Sequence, residues 1–79
     1  MVLCVVGSRV MGVTRLHDVV CIVCHGLSEI IRFDSVTHQR LTDIPVSGLS
    51  HPYDIAACQQ TDQLYVADRP RIAGYVWRV

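Results

Sequence analysis

Val20-Cys21-Ile22-Val23 and, 44 residues later, Leu64-Tyr65-Val66-Ala67 decide the fold. Both are short runs of β-branched, aromatic and thiol side chains. Runs of that kind predict strands, and the match extends outward from them. Residues 10–34 lie over 54–78 without a gap at a shift of 44. Met11-Gly12-Val13 then falls on Ile55-Ala56-Ala57, Asp18 on Asp62, Ile31 on Tyr75 and Phe33 on Trp77. Nowhere do apolar residues keep the i, i+3, i+4, i+7 spacing of a helix over a dozen or so positions.

Turn residues cut the chain into pieces about ten residues apart, the all-β pattern. Strands are predicted at 2–6, 9–14, 18–24, 28–34, 38–44, 53–58, 62–68 and 73–79. The breaks fall at Gly7-Ser8, His25-Gly26, Asp34-Ser35, between Pro45 and Pro52, and at Arg69-Pro70. A period near 44 residues holding four strands is the mark of a β-propeller blade. The expected fold class is therefore all-β: about two antiparallel four-stranded β-propeller blades in an incomplete ring. The chain is expected to be a single propeller fragment over 1–79. Its first blade is 8–44, and its second is 51–79 plus residues 2–6 as a closing strand.

Composition fits a body that covers itself with further apolar surface. The chain has 79 residues, of which 51% are apolar. A chain so short buries only about 60–65% of its unfolded surface, less than that composition calls for. Further blades, or copies of the chain that complete one ring, are the expected cover, because an open wedge exposes strand edges. Net charge is zero, with seven arginines, no lysine, six aspartates and Glu29. The arginines are scattered, and only Arg69-Pro70-Arg71 forms a local cluster. Nucleic-acid binders carry a basic excess along one face, so charge argues against them. No run reaches the ~18–20 apolar residues of a membrane span, and Val2-Leu3-Cys4-Val5-Val6 is a poor secretory signal. A cytoplasmic setting with reduced thiols is expected.

A second line of reading comes from the residues His51-Pro52-Tyr53-Asp54-Ile55-Ala56, then Gln63 to Asp68, then Arg71-Ile72. Together they resemble an NHL-type propeller repeat: Pro-x-Gly-Ile/Leu-Ala, an apolar-Tyr-Val-Ala-Asp strand, then an Arg-Ile/Val strand. The resemblance covers 51–79 well and 8–44 weakly. Tyr53-Asp54 stands where that family commonly has Gly, and Cys21-Ile22-Val23-Cys24 replaces the Tyr-Val-Ala-Asp strand in the first copy. What the resemblance implies is an interaction module with protein or RNA partners. A calcium-dependent lactonase-like propeller, gathering Asp54, Asp68 and Glu29 at a central channel, is the hydrolytic alternative. A structural fragment of a larger repeat array, with no site of its own, is the third.

Cys21-Ile22-Val23-Cys24-His25 has the C-x-x-C-H spacing of haem attachment. A β-branched strand puts its two cysteines on opposite faces, which argues against haem bonding. A zinc site normally offers two short-spaced ligand pairs and a redox dithiol a helix start, and neither is read here. Cys4, Cys58, His17, His38 and His51 add no second short-spaced ligand pair. No Gly-rich phosphate loop or nucleophile elbow is present. Asp68, at a strand end, is expected to cap the following turn through backbone N–H bonds. Phe33, Tyr65, Tyr75 and Trp77 are expected to pack between blades. The expected binding rim is His51, Tyr53, Arg69 and Arg71, at loop ends where propellers meet partners. A non-enzymatic module is expected, with no cofactor and no metal. Its expected partner is a protein, with RNA the second class.

Overall fold

Val19 to Cys24, the run of branched and thiol side chains, forms a central strand buried on both faces. The computed structural model describes residues 9–46, 48–49, 51–69 and 75–78, the last four in backbone course. These residues form seven strands and no helix, in two antiparallel sheets. The first sheet runs β1 (Val10–Leu16), β2 (Val19–Cys24), β3 (Glu29–Asp34) and β4 (Ile44–Pro45), side by side in that order. The second runs β5 (His51–Cys58), β6 (Gln63–Arg69) and β7 (Tyr75–Arg78). The predicted strand at 2–6 lies outside the described residues.

Strand ends follow local chemistry. His17 and Gly26 turn the chain with φ of 55° and 78°. The Asp34 carboxylate ends β3 by accepting from Thr37 N at 2.9 Å and Val36 N at 2.8 Å. Those two N–H groups hold its carboxyl below the ordinary carboxylate value.

The predicted strand at 38–44 shrinks to Ile44–Pro45 and one isolated bridge between Phe33 and Arg40. His38 has φ 63°, off the extended course. Leu41 N still donates to Arg32 O at 2.9 Å, yet the next pair is Ile30 with Ile44. One extra residue is therefore bulged out, and Arg32 Nε donates to Thr42 O at 2.8 Å across the gap. Such an edge offers a poor template for further strand pairing.

The repeat is present in the pairing, with one change from the sequence alignment. In β2–β3, Val19 pairs with Asp34 and Val20 with Phe33; in β6–β7, Gln63 pairs with Arg78 and Leu64 with Trp77, a shift of 44. In the first hairpins, Val10 pairs with Cys24 where Pro52 pairs with Asp68, so β1 maps onto β5 at a shift of 42. The gapless overlay thus fails in β1. Met11-Gly12-Val13 corresponds to Tyr53-Asp54-Ile55, and both hairpins carry a bulge at the middle of the same pair, Met11 or Tyr53. The slack lies in the turns, His17-Asp18 in one hairpin and Gln59-Gln60-Thr61-Asp62 in the other. Added residues there leave strand register and side-chain faces intact.

Between the sheets lies the main core. Leu16, Cys21, Val23 and Ile30 of the first sheet meet Ile55, Leu64 and Val66 of the second. Ile44 of β4 joins them, as do Val46 and Leu49 from the segment that follows it. On the other face of the first sheet, Val20, Ile22, Cys24 and Ile31 make a second cluster, with Phe33 half-buried against it. Corresponding residues thus sit on corresponding faces. Leu64 and Val66 face the first sheet as Val20 and Ile22 face away from the second. Tyr65, the counterpart of Cys21, is left exposed on the far side. Two sheets stacked this way are related head to tail, not by a two-fold axis.

Gly12 brings β1 onto β5. A Cβ there would stand 3.0 Å from both Asp54 Cα and Ile55 N. At the opposite end the turns are tied together. Gln59 Oε1 accepts from His17 N at 2.7 Å, its Nε2 donates to Arg15 O at 2.6 Å, and His17 Nε2 pairs with Asp62.

Candidate functional site

The ladder between β1 and β2 runs one step past Val10 and Cys24, because His25 N donates to Arg9 O at 2.7 Å. The ladder between β5 and β6 ends with His51 opposite Arg69. By the register of the two hairpins, Arg9 corresponds to His51 and His25 to Arg69. Each hairpin therefore ends in one arginine facing one histidine, with the two types exchanged between strands. The His25 and His51 rings meet across the sheet stack, centroids 6.1 Å apart and tilted by 60°.

The bulge supplies the aromatic. An extra residue in one strand re-aims the side chain it carries, and Tyr53 at that position is 38% exposed. The Arg69 guanidinium lies over its ring, 5.2 Å from the centroid. That distance is within cation–π range. Behind them, Asp68 is completely buried, and its Oδ1 accepts from His51 N at 2.6 Å. That bond fixes the start of β5. The following turn, expected to take its cap from Asp68, lies outside the described residues.

These residues enclose a cleft of about 370 Å³, lined by Arg9, Met11, His25, His51, Pro52, Tyr53 and Arg69. Three of the four residues expected to form a binding rim meet in it: His51, Tyr53 and Arg69. Arg71 lies outside the described residues. Sequence reasoning missed Arg9, because a gapless shift of 44 sets it against Tyr53 and hides its match with His51; aligning the bulges instead would have found it. His25 falls on Arg69 at the same shift, but reads there as the end of the C-x-x-C-H string.

The other predicted candidates are dispersed. Cys21 belongs to the core between the sheets and Cys24 to the cluster on the opposite face, as alternation along a strand requires. Their thiols do not converge, and burial pushes both above the ordinary thiol value. Cys4 lies outside the described residues. Among the described residues no three His, Cys, Asp or Glu side chains gather as a metal site. Glu29 opens β3 opposite Pro45, whereas Asp54 and Asp68 belong to the second sheet. The side chains of Tyr75 and Trp77 lie outside the described set. Phe33 is half-buried against the cluster on the outer face of the first sheet rather than between the two sheets, and Tyr65 is 42% exposed, its hydroxyl donating to Gln63 Oε1 at 2.9 Å.

Thiol chemistry supplies a direct check. Cys58 is half-buried, and hydrogen bonding from Thr61 draws its thiol below the ordinary value. Because the thiolate is the nucleophile, iodoacetamide at pH 8 is expected to alkylate Cys58 well before Cys21 and Cys24. Peptide mass mapping over a time course reads the order. Equal rates at all three positions would contradict the burial of β2.

Compared with known protein families and with curated proteins, the chain matches none.

Proposed function

We propose that the chain is a non-enzymatic interaction module made of two propeller-type blades, and that it binds a protein partner at the cleft between them. The observation that carries this is the convergence of His51, Tyr53 and Arg69 in one cleft. Its lining is aromatic and hydrogen-bonding, and it contains no acid or nucleophile pair for chemistry among the described residues.

Three features support the blade reading. Corresponding faces stack head to tail, the operation that generates a ring or an open array. The bulge recurs at the same register in both hairpins. With the shift of 42, Gly12 takes the place where an NHL-type repeat has its glycine, and Val10-Met11-Gly12-Val13 falls on Pro52-Tyr53-Asp54-Ile55. In such an array the exposed face of β6, with Tyr65, receives the next blade. Propeller ligands commonly meet loop ends rather than strand middles, and the cleft lies at strand ends.

The test is site-specific crosslinking in cells. A photoreactive phenylalanine replaces Tyr53 in one variant and Val36, which is 75% exposed on the β3 turn, in another. Discrete protein adducts are expected from position 53, absent from position 36, and lost when Arg69→Ala is added. RNA adducts at position 53, or the same adducts from both positions, would overturn the proposal.

A further inference from the structure

We infer that a second cavity, at the end of the stack away from the cleft, binds a neutral ring-sized molecule that carries one hydroxyl, phenol being the simplest case. The inference is independent of the protein-binding reading above. The cavity has a volume of about 160 Å³ and is lined mostly by apolar surface. Leu16, Val19 and Cys21 wall it from the inner face of the first sheet, and His17 and Asp62 border it from the two hairpin turns. Arg32 completes the lining. It lies directly across the ladder from Cys21, so its side chain leaves the same inner face.

Size and wall chemistry define the body of the ligand. Protein interiors hold few voids larger than a water molecule, and an apolar cavity of about 150 Å³ takes one benzene ring. This cavity matches a single ring and falls short of the ~300–1,000 Å³ that drug-sized ligands occupy. A rigid ring loses no rotamer freedom on entry, unlike an aliphatic chain, and the Cys21 sulfur gives it a polarizable floor.

The polar groups define its head. Arg32 Nε donates to Thr42 O at 2.8 Å, which holds the guanidinium in place. Its two Nη groups have no acceptor among the described residues. Asp62 Oδ1 pairs with His17 Nε2, and the second carboxylate oxygen has no donor among the described residues. Gln59, bonded to His17 N and Arg15 O, ties the two turns and so keeps Asp62 at the cavity. No ion pair joins Arg32 to Asp62 among the described residues. A carboxylate ligand gains one attraction here and one repulsion, and so does an ammonium. A hydroxyl satisfies both groups, because it accepts from the guanidinium and donates to the carboxylate.

The test uses the whole chain and three probes of one ring each: phenol, toluene and benzoate. Binding is followed by NMR through the imidazole C–H signals. Phenol is expected to shift His17 saturably, with His25 and His51, at the other end of the stack, unmoved as internal controls. Toluene and benzoate are each expected to bind about tenfold more weakly. Arg32→Met keeps the stem and removes the donors, and is expected to weaken phenol about tenfold while leaving toluene unchanged. Asp62→Asn keeps a residue type that tolerates the φ of 56° at this position. It is expected to weaken phenol and tighten benzoate, each by about fivefold, an opposition that mere loosening of the turn does not produce. Circular-dichroism melts of both variants guard against unfolding. No saturable shift of His17, equal binding of phenol and toluene, tighter binding of benzoate than phenol by the parent chain, or equal shifts at His25 and His51 would overturn the assignment.

Discussion

Asp68→Ala is expected to lower the free energy of unfolding by about 3 kcal/mol, the cost of removing a buried charged acceptor from its donors. Asp68 is the one fully buried charged side chain among the described residues. Its Oδ1 holds His51 N at 2.6 Å, at the point where β5 begins. Truncation leaves that N–H without its acceptor and opens a void next to Pro52, which is also buried. A domain of this size is worth roughly 4–12 kcal/mol in total, so the loss removes a large share of it. Asp68→Asn retains an acceptor oxygen and the side-chain shape, and is expected to cost about 1 kcal/mol. Urea unfolding followed by circular dichroism measures both. Hydrogen exchange at the His51 amide adds a local readout, expected to quicken in both variants and most in Asp68→Ala. An unchanged midpoint for Asp68→Ala would show that the carboxylate contributes nothing to the β5–β6 register. Loss of the tie should also loosen His51, and with it one wall of the cleft.

Gly12→Val is expected to destabilise by about 2–4 kcal/mol, against the direction that strand propensity alone would give. Glycine inside a strand is usually a weakness, and replacing it gains roughly 0.5–1 kcal/mol. Here that gain is overruled by contact. The added Cβ meets Asp54 Cα and Ile55 N at 3.0 Å and Asp54 C at 3.3 Å. All three are backbone atoms, with no side-chain rotamer to move aside. Relief requires β1 and β5 to part, which loosens the packing of Leu16, Ile55 and Leu64 between the sheets. Gly12→Ala is expected to follow the same sign at about half the size. Val13→Thr, on the exposed face of the same strand, is expected to stay within about 0.5 kcal/mol of the parent. Thermal melts of the three variants make the comparison. A stabilised Gly12→Ala would show that β1 and β5 do not approach as closely as the sheet stack requires.

Legibility differed from element to element, for physical reasons. β2 and β6 were plain in the sequence, because Val, Ile, Leu and Tyr in short runs have few other stable conformations. The opposite facing of Cys21 and Cys24 was equally plain, since alternation along a strand is a matter of backbone geometry. The strand predicted at 38–44 was not a full strand. His38 at positive φ and the bulge beside Thr42 depend on how Asp34 and Arg32 bond locally, and no apolar pattern records that. In the candidate site, His51, Tyr53 and Arg69 were legible as loop-end residues of one repeat. Arg9 was not, because a two-residue difference in turn length moves the alignment of β1 without moving that of β2. His25 does fall on Arg69 at the shift of 44, but reads there as the end of the C-x-x-C-H string.

The sequence by itself determined an all-β chain that repeats near 44 residues, and which strand faces are apolar. Both are local properties, set by side-chain shape and by alternation along an extended backbone. Only the tertiary structure decided that the two hairpins differ by two residues in a turn. Pairing register is a long-range choice, made where Gly12 allows β1 to touch β5 and where the bulges at Met11 and Tyr53 come into line. That choice brings Arg9, His25, His51 and Arg69 to one end of the stack. Residues up to 60 positions apart become neighbours there through hydrogen-bonded ladders, which no single stretch of the chain encodes.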